Sequence, residues 1–235
     1  MEARKFLQRY AWVYLYVTAF FLGMAGLLRH SVETAGPMGP LPGRPVIVID
    51  AGHGAPDGGS TGVSGAREDA VNLAVARRLE ALLTLMGYDT AMTRRGPDCV
   101  ATEGESIREK KLSDLQNRVS GINALASAVV VSIHQNHFPD SRYSGPQVFW
   151  GSGGEALARR MQTALTEALA PGSPRTAKEA SGIYLMEHLN HPGILVECGF
   201  LSNPEEERKL CSPEHQKKIA AILAAVLAEY IQPNI

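Results

Sequence analysis

The chain has 235 residues, 45% of them hydrophobic, and its 23 Lys plus Arg against 24 Asp plus Glu leave a formal charge of −1. So balanced a chain carries no general basic field, and nucleic acid is not expected among its partners. Its three cysteines, Cys99, Cys198 and Cys211, are odd in number and far apart, which suits neither a disulfide framework nor a zinc finger.

The first thirty residues stand apart from the rest. Arg4, Lys5 and Arg9 precede Tyr10 to Leu28, nineteen positions without a charged side chain. That length is near the roughly 20 residues needed to cross a bilayer, and the positive flank predicts a cytoplasmic N-terminus with the remainder outside. The alternative is a cleaved signal peptide, with Gly23 and Ala25 near the cleavage point and a secreted product. The apolar run is long for that, so an uncleaved anchor is expected. Pro37, Pro40, Pro42 and Pro45 alternate with Gly36, Gly39 and Gly43, which reads as an extended tether. The organisation is thus a membrane segment over 1–30, a linker over 31–45 and one folded domain over 46–235, long enough for a single core.

Within that domain, Val46-Ile47-Val48-Ile49-Asp50 is an apolar run ending in Gly52-His53-Gly54, a buried strand that delivers an imidazole to its own end. From Glu68, Val71, Val75, Leu79, Leu82 and Met86 recur at helical spacing until Gly87 stops them. A second strand is expected over Tyr88 to Thr93, a polar loop over Asp98 to Ser106, and a helix on Leu112, Leu115, Val119, Ile122 and Leu125. Val129 to Ile133 then runs into His134. Gln147 to Trp150 reads as a strand and Glu155 to Leu169 as a helix. The stretch Pro171 to Ser181 either borders a substrate groove or is a solvated connection. Gly193 to Val196 runs into Glu197, after which Asn203-Pro204 and Ser212-Pro213 each supply a cap and a proline for a helix start. This βαβ order predicts an α/β fold with a mostly parallel, twisted sheet and helices on both faces, preceded by the membrane-anchoring helix.

If the strands before His53, His134 and Glu197 lie parallel in one sheet, all three residues emerge at its carboxyl edge, where such sheets place their ligands. Glu68 follows a loop rich in glycine (Gly58, Gly59, Gly62, Gly65) and opens a helix toward the same crevice. Two imidazoles and a carboxylate form a common catalytic zinc shell, and a second carboxylate can take a proton from water. His53, Glu68 and His134 fit the ligands of one zinc ion, and Glu197 fits the base. For any one of these histidines taken alone, a structural hydrogen-bonding role is the alternative. His137 reads as a structural residue or as an orienting one. Asp50 and Asn136 are close enough in sequence to brace the histidines. Cys198, next to Glu197 on a strand, points away from the crevice. Gly151-Ser152-Gly153 lacks the nucleophile-elbow spacing, and the loop from Asp57 lacks a P-loop lysine.

At these residues the sequence resembles the zinc-dependent N-acetylmuramoyl-L-alanine amidases of the amidase 3 family. The matching pieces are Ile49-Asp50-Ala51-Gly52-His53-Gly54, Glu68-Asp69 to Asn72-Leu73, Met92-Thr93-Arg94, Leu115 with Asn117-Arg118-Val119, Ser132 to Asn136, and Val196 to Asn203, in family order between about Pro45 and Ile231. The start of the chain, Arg108-Glu109-Lys110-Lys111 and Ser141 to Gly145 look like the CwlD branch of spore-cortex amidases. Ala51 stands where the family usually has Pro, and Gln135 where a small residue is common. The resemblance implies hydrolysis of the amide between the lactyl group of N-acetylmuramic acid and L-alanine in peptidoglycan. It further implies a setting in spore-cortex maturation ahead of muramic δ-lactam formation, a catalytic domain outside the cytoplasm in the forespore intermembrane space, and an activator protein in some relatives. The rival readings are a zinc peptidase cutting within the stem peptide and an anchored peptidoglycan-binding protein without turnover.

Overall fold

A computed structural model describes residues 43–232. The expected membrane anchor and most of the tether lie outside these residues. Among the described residues no helix is long and apolar enough to cross a membrane.

Six strands and six helices follow one another as β1 (Val46–Ala51), α1 (Glu68–Leu85), β2 (Thr90–Met92), α2 (Ile107–Asn123), β3 (Ala128–Asn136), β4 (Gln147–Trp150), α3 (Glu155–Leu169), β5 (Lys178–Glu179), α4 (Tyr184–His188), β6 (Gly193–Phe200), α5 (Pro204–Leu210) and α6 (Pro213–Ile231). The strands form one sheet in the order β2-β1-β3-β6-β4-β5. β2, β1, β3 and β6 run parallel, β4 is antiparallel to β6, and β5 follows β4 in parallel. The mostly parallel sheet with helices on both faces is therefore as expected.

Register explains how one sheet serves two cores. Ile47, Ile49 and Ala51 pair with Val129, Val131 and Ile133, and together they face the cluster that α1, α3 and α6 close with Leu79, Met161 and Leu223. Val48 and Val130 point the other way, onto Ile122 of α2 and Leu185 and Met186 of α4. Both faces are covered, so these strands are apolar throughout rather than alternating. Fully burying one such aliphatic side chain contributes about 1.5–3 kcal/mol.

The helix ends follow local chemistry. Ser106 and Glu109 form a capping box at the start of α2, one turn earlier than the apolar periodicity indicated. Asn203 and Ser212 accept backbone N–H bonds at the starts of α5 and α6, as their Pro-containing motifs require. Helix α1 stops at Gly87, whose φ of +80° leads the chain into a short β2. Two small elements were not anticipated. Lys178–Glu179 pairs with Phe149 and Trp150 at the sheet edge, and the five-residue α4 lies under β6.

Candidate metal centre

Three strands end together at the carboxyl edge of the sheet. Asp50 pairs with Ser132, and His134 pairs with Glu197 across β3 and β6. Just beyond that pair the register slips, so that Asn136 faces Phe200, one residue further along β6 than a regular ladder would give. Such a bulge beside a site redirects the side chains that follow it.

Glu68 sits at the first position of α1 and reaches into this edge. Its Oε1 lies 3.2 Å from His53 Nε2 and 3.0 Å from His134 Nδ1, and it also accepts the backbone N–H of Gln135 at 3.2 Å. Oε2 accepts the N–H of Ser60 at 2.9 Å. One ligand atom from each of His53, Glu68 and His134 lies within 4.8 Å of the others, a group able to hold a metal ion. Burial pushes the Glu68 carboxyl up, but the two imidazoles outweigh it and hold the group far below the usual carboxylate range.

Each ligand is held by neighbours of its own. His53 Nδ1 lies 3.0 Å from Asp57 Oδ2, an acceptor for its N–H, and this bond turns Nε2 toward Glu68. Burial pushes the Asp57 carboxyl up, while His53, the Gly59 N–H and Lys111, 3.1 Å away, bring it down to about 2. His53 takes a φ of +59°, a left-handed conformation that costs a non-glycine residue about 1–2 kcal/mol. Arg118 steadies it by donating to the His53 carbonyl at 2.6 Å. The same guanidinium is buried between Asp50 (2.6 Å) and Asp114 (2.9 Å), and Asp50 also accepts from the hydroxyls of Ser132 and Thr93. Arg94 donates to the carbonyls of Ala51, Gly52 and Asp69, tying β1 to the start of α1.

Close approach explains the glycines. A Cβ on Gly52 would lie 2.2 Å from His134 Nε2, and one on Gly59 would lie 2.6 Å from Glu68 Oε2 and 2.7 Å from the His53 ring. Gly62 presses on Glu207, whose buried carboxylate accepts from the Ser64 backbone and hydroxyl. The glycine-rich loop thus packs directly on the ligands and is clamped to α5.

Glu197 differs from Glu68 in its surroundings. Its Oε2 is buried with no hydrogen-bond partner among the described residues. Burial pushes the carboxyl up to about 7, with His134 and His53 pulling down and Glu68 adding repulsion. A carboxyl poised near neutrality can both accept and return a proton.

The structure therefore brings together all four residues picked out by the sequence. His137 is exposed on the outgoing segment. Cys198 is buried in the main core with its thiol pushed up to about 12 by burial, which bars it as a nucleophile. Asp50 braces His53 through Arg118 rather than directly. Sequence reasoning missed Asp57 and gave Arg118 no role. The signal for Asp57 was its position four residues after His53, and for Arg118 a lone arginine at the buried face of an amphipathic helix.

Two imidazoles, a carboxylate and a separate protonatable carboxylate at the edge of an α/β sheet are the donor set of a metal-assisted hydrolase. Residues 47–229 match the model of the N-acetylmuramoyl-L-alanine amidase family. A germination-specific N-acetylmuramoyl-L-alanine amidase of Bacillus subtilis is 37% identical over 195 residues, covering 81% of this chain and 81% of its own length. The CwlD amidase from Clostridioides difficile, solved in complex with the GerS lipoprotein, superposes with a TM-score of 0.76 at 31% identity, over 79% of this chain and 98% of that one. AmiC2 of Nostoc punctiforme, another such amidase, gives 0.69 at 28% identity over 81% and 98%. The chain belongs to the N-acetylmuramoyl-L-alanine amidase family, and its substrate is peptidoglycan.

Proposed function

We propose that the chain is a zinc-dependent amidase of spore-cortex maturation in which His53, Glu68 and His134 hold one zinc ion and Glu197 moves the proton. The observation that carries this reading is the buried, unpartnered Oε2 of Glu197 on the strand next to His134, one of three convergent donors. Two neutral imidazoles and a carboxylate suit zinc in number and kind, and Asp57 already orients His53 for it. Zinc bound there supplies Lewis-acid polarisation of the amide carbonyl and lowers the pKa of water.

Glu197 accepts a proton as water attacks the carbonyl carbon of the lactyl group. It returns that proton to the alanine nitrogen as the C–N bond breaks, leaving a carboxylic acid on the muramyl lactyl group and a free peptide amine. Arg118 and Asp57 hold His53 still, and Gly52 keeps the His134 ring free to turn toward its partners.

The cortex setting is supported by likeness to the germination-specific amidase. Removing the stem peptide prepares the muramyl residue for δ-lactam formation, which a separate deacetylase completes. Tyr10 to Leu28 serves as the membrane anchor, with the catalytic domain outside the cytoplasm, in the forespore intermembrane space. The complex formed by the Clostridioides difficile relative supports an accessory protein for this chain as well.

Mass spectrometry of intact peptidoglycan treated with the protein, with zinc and with a chelator, tests the reading. Whole stem peptides beginning with L-alanine, released only with zinc, are expected. Cleavage within the stem would contradict it.

A further inference from the structure

A cleft of about 820 Å³ runs between the segment from Arg142 to Gln147, the loop that follows α3, and α5. It opens from the same end of the sheet as the metal centre, because Gln147 pairs with Glu197 across β4 and β6. Among its walls are four cations, Arg142, Arg175, Lys178 and Lys209, and two carboxylates, Glu205 and Glu206.

These charges are not equally free. Arg142 is paired with Asp140 and Lys209 with Glu205. Glu206 is occupied in accepting the backbone N–H groups of Gly145 and Phe200. Among the described residues, Arg175 and Lys178 have no carboxylate partner. Arg175 is nonetheless held in place. Its Nε donates to the Ser144 carbonyl at 3.1 Å, and its guanidinium carbon lies 4.9 Å from the centre of the Phe200 ring. The two terminal nitrogens, a pair able to grip a carboxylate in bidentate fashion, make no hydrogen bond among the described residues.

The inner wall adds an independent sign of a ligand. Gln147 is only 2% exposed, its amide nitrogen donates to the Thr176 carbonyl at 2.7 Å, and its Oε1 has no partner among the described residues. An unpartnered buried acceptor beside Glu197 is placed to receive a peptide N–H.

We propose that this cleft is an acidic-peptide subsite in which Arg175 and Lys178 hold the carboxylates of the stem peptide while Gln147 accepts one of its amide hydrogens. The assignment rests on the amidase reading. The stem peptide leaves the cleaved bond in an extended form and carries free carboxylates at its acidic second residue and at its C-terminus. Phe200, under Arg175, lies three residues beyond Glu197, about 10 Å along the strand. Two to three residues of extended peptide span about 7–10 Å, so such a carboxylate falls within reach of Arg175. Lys178 lines the same cleft from β5, where it pairs with Phe149.

Calorimetry on the zinc-loaded chain tests this with a synthetic stem tetrapeptide, offered as the free acid and as the fully amidated form. The free acid is expected to bind about 10- to 100-fold more tightly, the range for one or two charge-assisted contacts. Arg175→Gln with Lys178→Gln should remove that preference while leaving the amidated peptide's affinity unchanged. The exposed single variant Lys178→Glu should weaken the free acid selectively. Equal binding of both peptides by the wild type, or a preference that survives the double substitution, overturns the proposal. Peptidoglycan digestion run alongside reads the chemistry separately. Release at alanine without any carboxylate preference removes the subsite alone, whereas a carboxylate preference without release removes the amidase reading and leaves a binding site.

Discussion

Replacing Gly52 with alanine should disable the metal centre while sparing the fold. The added Cβ would sit 2.2 Å from His134 Nε2, 2.3 Å from Cε1 and 2.7 Å from Cδ2, where ordinary contact begins at 3.4 Å. The shortfall at Nε2 is 1.2 Å, and the atoms in the way belong to an imidazole rather than to backbone. Gly52 itself has no left-handed φ, and its N–H would keep its bond to the Ile133 carbonyl, so the main chain tolerates alanine. The ring must therefore swing away, and Nδ1 leaves its position 3.0 Å from Glu68. A displacement of about 1 Å at a reacting group costs on the order of 100-fold in rate, and loss of one ligand weakens zinc binding at least as much. Zinc titration against a chromophoric chelator, peptide release from peptidoglycan and thermal unfolding would be measured on the same preparation. Wild-type zinc affinity with an unchanged rate would refute the geometry, and gross unfolding would refute the claim that the clash is local.

Other consequences are simpler to state. Asp57→Asn should lower zinc affinity about 10- to 100-fold in an equilibrium competition assay, because its one oxygen keeps the Gly59 N–H and the amide nitrogen then faces His53 Nδ1, a donor in place of an acceptor. Burial would raise the Asp50 carboxyl, but Arg118 with Ser132 and Thr93 brings it down to about 2, so its ionised form stabilises the fold. That contribution, on the order of 2 kcal/mol, is complete above the unfolded value near 4 and is lost as pH falls through about 2. Acid unfolding of Asp50→Asn should show a shallower dependence over that window. Gly121, inside α2 with open space around it, gives the opposite of Gly52: alanine there should stabilise by about 0.5–1 kcal/mol in denaturant titration.

The parts of the fold legible in the sequence were those set by local pattern. Val46 to Asp50, Val129 to Ile133 and Gly193 to Val196 are short apolar runs that stop at a polar residue, and all three became parallel neighbours in the sheet. Helix α1 announced itself by spacing and by Gly87. What stayed hidden depended on tertiary pairing. Lys178 and Glu179 have nothing strand-like about them and pair only because β4 offers an edge, while α4 is one turn held by packing under β6. The capping box of α2 was readable in Ser106 and Glu109, but that first turn carries a single, exposed apolar residue, Ile107, so no apolar periodicity reaches it.

The site divides in the same way. His53, His134 and Glu197 were visible because strands present them, and Glu68 because it opens a helix. Asp57 lay in a segment that looked like spacer, and its aim toward His53 comes from a loop conformation. Arg118 acts across 65 residues on the His53 carbonyl, a distance no periodicity can bridge. Gln147 pairs with Glu197 only through the antiparallel entry of β4, which the strand order did not foretell.

The central claim is that Glu197 transfers the proton at a centre built by the other three residues. The most direct measurement is the rate of stem-peptide release by Glu197→Gln together with its zinc content. The glutamine is close in size, so one zinc per chain should be retained while the rate falls by at least about a hundredfold. A rate within tenfold of wild type, with zinc still bound, would contradict the assignment of Glu197.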